Sequence, residues 1–150
     1  MKTDKLIFAK GTEKAFYILI ISEEKGQLLV SRIYEPATFE DFLRETKEVC
    51  LEYNPALLFY DCSLYKNNFE ELRLFLATND IQARGYLPKG TLEDRVASCD
   101  GWIENHVIIN DKYTGFINTV SSYMPGEDKE NAALEILCDA VKYARNYYLI

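Results

Sequence analysis

Histidine is almost missing from this sequence: His106 is the only one, and the four cysteines, Cys50, Cys62, Cys99 and Cys138, are far apart with no C-x-x-C pair. Together these absences argue against a zinc site and against a disulfide framework. They leave the cysteines as buried or partly buried thiols of a reducing compartment. No stretch approaches the ~20 apolar residues of a membrane span, and the first residues carry no apolar signal core. The expectation is a cytoplasmic protein with no membrane partner. The phosphate-binding pattern G-x-x-x-x-G-K-[ST] is also missing, so these residues hold no nucleotide-driven motor of that type.

Positive charge is scarce too. Seventeen Lys and Arg stand against 24 Asp and Glu, a formal charge of −7, which disfavours a surface that grips phosphate backbones everywhere. A local basic groove is still open to it. Lys66, Arg73, Arg84, Lys89 and Arg95 lie in the middle third, with scattered solvating charges as the plainer account of them.

The 150 residues, 48% of them hydrophobic, suit a single domain over 1–150 that buries roughly 70% of its unfolded surface without staples. Lys5–Ala9, Ala15–Ile21 and Gln27–Tyr34, separated by Gly11-Thr12-Glu13-Lys14 and Glu23-Glu24-Lys25-Gly26, read as a three-stranded meander. Thr38 then caps a helix with Phe39, Phe42, Leu43, Val49, Cys50 and Tyr53 at helical spacing, stopped by Asn54-Pro55. Ala56–Tyr60 lacks polar alternation, as a central strand covered on both faces should. A helix through Phe69–Leu76, a strand at Ile81–Leu87, a helix from Thr91 to about Asn105 and a short strand at Val107–Ile109 follow. Phe116–Met124 and Asn131–Asn146 complete the chain as helices, the last apolar almost all round.

Two carboxylate groups stand out against this order. Asp61 closes the apolar strand, and Glu135 and Asp139 lie at i and i+4 on the last helix. Acids brought together from a strand tip and a helix repel one another unless a hard divalent cation sits between them, the arrangement a metal-dependent nuclease uses. Each has a plainer reading. Asp61 can close its strand by hydrogen-bonding the Cys62-Ser63 turn. Glu135 and Asp139 disfavour the helix by only ~0.2–0.5 kcal/mol, which Lys142 can offset in an exposed acid-acid-lysine stripe. Asp128 can supply a missing ligand, although Glu127 and Asp128 equally suit a helix start. His106 is better read as a surface or hydrogen-bonded residue than a catalytic one. Tyr113 and Tyr123 can stack on bases, and Tyr147–Ile150 reads as a flap folded onto the core or a partner-binding tail.

The element order, with Leu57-Leu58-Phe59-Tyr60-Asp61, the basic pair Lys89 and Arg95 leading into the next helix, Val107–Ile109, Tyr123-Met124-Pro125 and Asp139-Ala140, resembles the C-terminal nuclease domain of the large terminase subunit of tailed bacteriophages. The resemblance covers nearly the whole chain. It implies an α/β ribonuclease H-like fold, with an antiparallel meander, parallel strands and helices on both faces. It also implies a Mg²⁺ or Mn²⁺ endonuclease that cuts concatemeric DNA during packaging in the bacterial host cell. Asp61, Asp139 and Glu135 would be the catalytic and metal-binding positions, Lys89 and Arg95 the nucleic-acid contacts, and double-stranded DNA and a packaging or portal-type protein the partners.

Two departures oppose that activity. The family's paired acids on the last helix fall here on Glu135 and Ile136, and its first-strand Asp falls at Phe8 or Ala9, neither of which binds a cation. A noncatalytic scaffold that binds a protein in a phage or mobile-element system is the rival expectation. Because the motor's phosphate loop is missing, the resemblance implies a separated nuclease domain or a free-standing homologue.

Overall fold

The computed structural model describes residues 4–63, 69–99, 101–126 and 130–150; Lys66, Glu127 and Asp128 lie outside them. Six strands form one sheet in the order β5-β4-β1-β2-β3-β6. β1 (Lys5–Gly11), β2 (Phe16–Glu24) and β3 (Gln27–Tyr34) make the antiparallel meander, and β4 (Leu57–Asp61) lies parallel to β1. β5 (Ala83–Tyr86) and β6 (Val107–Ile109) extend the two edges in parallel with β4 and β3. The β2–β3 connection is tighter than the four polar residues suggest. Glu24 pairs with Gln27, leaving Lys25 and Gly26, both at positive φ, as a two-residue turn whose twist suits a hairpin.

Side chains alternate along the central strands and so build two cores. Ile7, Ala9, Ile18, Ile20, Leu58 and Tyr60 face α1 (Phe39–Glu52) and α2 (Glu70–Thr78). Leu6, Phe8, Leu19, Ile21, Leu57 and Phe59 face the other layer, dominated by α6 (Ala132–Tyr148). Burial on both sides explains the unbroken apolar run before Asp61. The cap expected at Thr38 is present, its Oγ1 accepting from the Asp41 N–H at 3.0 Å, and α6 gains one that the sequence reading did not name, Asn131 Oδ1 accepting from the Leu134 N–H at 3.0 Å. β5 also needs Gly85, because a Cβ there would lie 2.7 Å from Cys62 Sγ and 2.9 Å from the Tyr60 ring.

Several boundaries differ from the sequence reading. β1 runs on through Lys10 to Gly11, and β5 is only Ala83–Tyr86. The helix expected from Thr91 to Asn105 is two, α3 (Leu92–Cys99) and α4 (Trp102–His106), because Gly101 takes a φ of 74° that a continuous helix does not accept. α5 (Thr114–Ser121) starts and ends earlier than expected. Tyr147 and Tyr148 form the last turn of α6 and pack against its core, and the Tyr148 O–H donates to the Asp4 carbonyl at 2.9 Å. All four cysteines are buried and free, as expected.

Candidate functional site

Parallel pairing of β1 with β4 runs Leu6↔Leu57, Phe8↔Phe59 and Ala9↔Tyr60, so the next step sets Lys10 beside Asp61. Both side chains follow the parity of Leu6–Phe8 and Leu57–Phe59 and point to the α6 face. Phe8 lies one layer deeper, its ring stacked on Phe59 at 5.0 Å and 7°, and Ala9 belongs to the opposite core. The first-strand position level with Asp61 is therefore Lys10, not Phe8 or Ala9.

Lys10 Nζ donates to Asp61 Oδ2 in an ion pair whose side chains are only 4% and 0% exposed. Asp61 Oδ1 accepts the Ser63 N–H at 2.8 Å, so the turn-closing role expected of Asp61 is present as well. On the facing helix, Asp139 Oδ1 accepts from Arg95 Nη2, and Oδ2 accepts the Tyr86 O–H at 2.8 Å. Arg95 reaches further along the same helix, donating to Glu135 Oε1 at 3.1 Å and to the Glu135 carbonyl at 3.2 Å. The exposed stripe of Glu135, Asp139 and Lys142 does not form. Asp139 is buried, the positive partner comes from α3, and Lys142 instead lies 5.3 Å over the Tyr143 ring.

The two aspartates sit in one electrostatic neighbourhood. The Lys10 ammonium acts on Asp139 as well as pairing with Asp61, and both carboxylates act on the Tyr86 and Tyr143 hydroxyls. Burial, with the charge of Asp139 beside it, drives the Tyr86 hydroxyl well above its usual range. Burial likewise raises the Asp139 carboxyl, outweighing the pull of Arg95, Lys10 and the Tyr86 O–H in the other direction.

A carboxyl raised in this way takes up a proton on folding. Its contribution to stability is greatest below the unfolded value near 3.8 and is lost as pH rises through the folded one. Asp139→Asn keeps one acceptor oxygen for Arg95, turns its amide N–H toward the Tyr86 oxygen, and carries no charge. Its stability relative to the parent should therefore improve as pH rises above the unfolded value near 3.8, read from urea unfolding at each pH. A difference that stays flat would place the burden elsewhere.

Of the other residues singled out in the sequence, Lys89 shares a cleft with Arg95 and Asp139 and the rest are dispersed. Lys89 is exposed at the rim of a cleft of about 560 Å³ that Arg95, Asp139, Lys142 and Arg145 also line. Arg73 pairs with Glu70 at 2.9 Å and Tyr60 at 3.2 Å, and Arg84 lies 5.9 Å from the Phe59 ring centroid. His106 ends α4, its ring 4.5 Å from Trp102. Tyr113 and Tyr123 are half-buried against the α6-side core. Lys10 and Tyr86 were not among the residues the sequence singled out. The signal for Lys10 was its even spacing from Leu6 and Phe8; nothing local distinguishes Tyr86 among eleven tyrosines.

Comparison with solved structures places this architecture. The large terminase of a thermophilic bacteriophage is 15% identical with a TM-score of 0.65, over 98% of this chain and 40% of that one. The human cytomegalovirus terminase nuclease domain is 9% identical with a TM-score of 0.63, over 93% and 81%. The fowlpox virus Holliday junction resolvase is 12% identical with a TM-score of 0.62, over 95% and 98%. The fold is the ribonuclease H-like fold of terminase nucleases. This chain spans less than half the length of that phage terminase. No family model and no curated protein matches the sequence.

That fold implies divalent ions held by carboxylates, and the residues present do not fit them. Both oxygens of Asp61 and both of Asp139 already accept from a donor, and the strand position beside Asp61 carries an ammonium. Among the described residues no three His, Cys, Asp or Glu side chains are grouped to hold a metal. An ion entering here would first displace the buried Lys10 ammonium and the partly buried Arg95 guanidinium from the carboxylates they already pair with.

Proposed function

We propose that the chain is a terminase-type ribonuclease H-like scaffold in which internal ion pairs have replaced metal chemistry, and that it works as a noncatalytic binding module for a protein partner in a phage or mobile-element system. The observation that carries this reading is Lys10 on Asp61, a fixed positive charge where hydrolysis would need a carboxylate and a mobile ion. The mouth of the site supports it. Lys10, Thr12 and Ser63 share a pocket of about 320 Å³ with Glu13, Glu130 and Glu135, three carboxylates that repel an approaching phosphate backbone. Among the described residues no helix is long and apolar enough to cross a membrane.

The competing reading, a slow endonuclease with a reduced acidic site, rests on Asp61 and Asp139 acting together on Tyr86. One pair of measurements separates the two. The scaffold predicts no nicking of supercoiled plasmid in millimolar Mn²⁺ or Mg²⁺, and no retention of duplex DNA in a low-salt mobility shift. Cleavage that needs the metal and is abolished by Asp61→Asn would restore the endonuclease reading and remove this one.

A further inference from the structure

The ion-pair network leaves two nucleophilic groups unused. Cys99 ends α3 and Cys138 lies on α6 beside Asp139. Their side chains interact with each other, and both line the cleft of about 560 Å³ beside Lys89, Arg95 and Arg145, on two helices that Arg95 joins. The Cys99 S–H also donates to the Arg95 carbonyl at 3.3 Å, one helical turn back. Cys50, in contrast, is buried in the opposite core with an apolar environment that raises its thiol to about 12.

We propose that Cys99 and Cys138 are a dithiol site for hydroperoxides, oxidised reversibly to a disulfide that ties α3 to α6. Access comes from the cleft that both cysteines line. The order of events follows from the polarity of the pair. The interaction between the two thiols lowers the Cys99 thiol and raises the Cys138 thiol, and the Arg95 guanidinium favours the anionic form of both. The Cys99 sulfur attacks one peroxide oxygen: an S–O bond forms, the O–O bond breaks, and the departing oxygen takes a proton to leave as water. The Cys138 sulfur then attacks the Cys99 sulfenic acid, forming S–S and breaking S–O, with release of a second water. Two thiols give up two electrons and two protons, and one hydrogen peroxide becomes two waters.

The new bond would lie one turn from Arg95 and next to Asp139, so it would lock together the two helices that Arg95 already joins. The test treats the folded full-length chain with a few equivalents of hydrogen peroxide, then quenches free thiols and maps peptides without reduction. The expected result is the loss of two hydrogen masses, a Cys99–Cys138 linked peptide, and a melting temperature raised by roughly 10 °C that dithiothreitol reverses. Cys99→Ser and Cys138→Ser should each abolish the gain. Stable addition of oxygen to Cys99 without a link, a link to Cys50, Cys62 or a second molecule, or reaction only after unfolding would each overturn the assignment. The wild-type map decides the matter even if a serine variant folds poorly.

Discussion

Lys10→Met should destabilise the protein by about 3–5 kcal/mol, because it removes one partner of a buried pair and strands the other. Asp61 is fully buried as a side chain, and its remaining donor, the Ser63 N–H, serves only Oδ1. Adding Asp61→Leu to Lys10→Met should recover most of the loss, since replacing both charges with apolar groups of similar volume removes the desolvation burden instead of exposing it. Urea unfolding of the two variants and the parent, at constant m-value, measures both steps. The double variant also speaks to function. A pair kept for stability alone would leave the double variant less stable than the parent with its binding unchanged, whereas a partner-binding face built around this mouth would lose its partner in a stable protein. A loss below about 1 kcal/mol for Lys10→Met would mean that water reaches Asp61 and that the site is more open than its burial indicates.

The fold was legible because its signals are local. A strand covered on both faces reads as an apolar run, and Ala56–Tyr60 is one. A meander reads as three apolar segments between turn residues, and helices α1 and α6 carry both an apolar stripe and a side-chain cap. The break between α3 and α4 escaped because one glycine inside a helical pattern is normally tolerated, and only the φ of Gly101 shows that the chain turns there. The acids were legible for the same local reason: Asp61 closes a buried strand, and Asp139 follows a spacing. What the sequence could not disclose is what faces them. Lys10 meets Asp61 across 51 residues and Arg95 meets Asp139 across 44, contacts fixed by strand register and by the packing of α3 on α6. A lysine near the end of a short apolar strand is read as solvated, since isolated lysines are seldom buried; here the strand continues past it and the residue is 3% exposed.

Arg95→Met carries the second large effect, also about 3–5 kcal/mol, from the same class of event on the helix side. The guanidinium is 13% exposed and joins Asp139, Glu135 and a backbone carbonyl with its planar fork. Without it Asp139 retains the Tyr86 O–H and the more distant Lys10, while Glu135 can turn outward to the pocket it lines. Arg95→Lys should restore only part of the loss, because one ammonium cannot reproduce two or three divergent bonds at once. Coupling to the strand side follows from Lys10, whose charge acts on Asp139 as well as Asp61. Lys10→Met and Arg95→Met made together should therefore cost more than the sum of the two alone, by about 0.5–3 kcal/mol, since Lys10 also shields the Asp139 that the loss of Arg95 leaves exposed to burial. Strict additivity in that double-mutant cycle would show two independent salt bridges, and the picture of one shared network holding the acids together would fail.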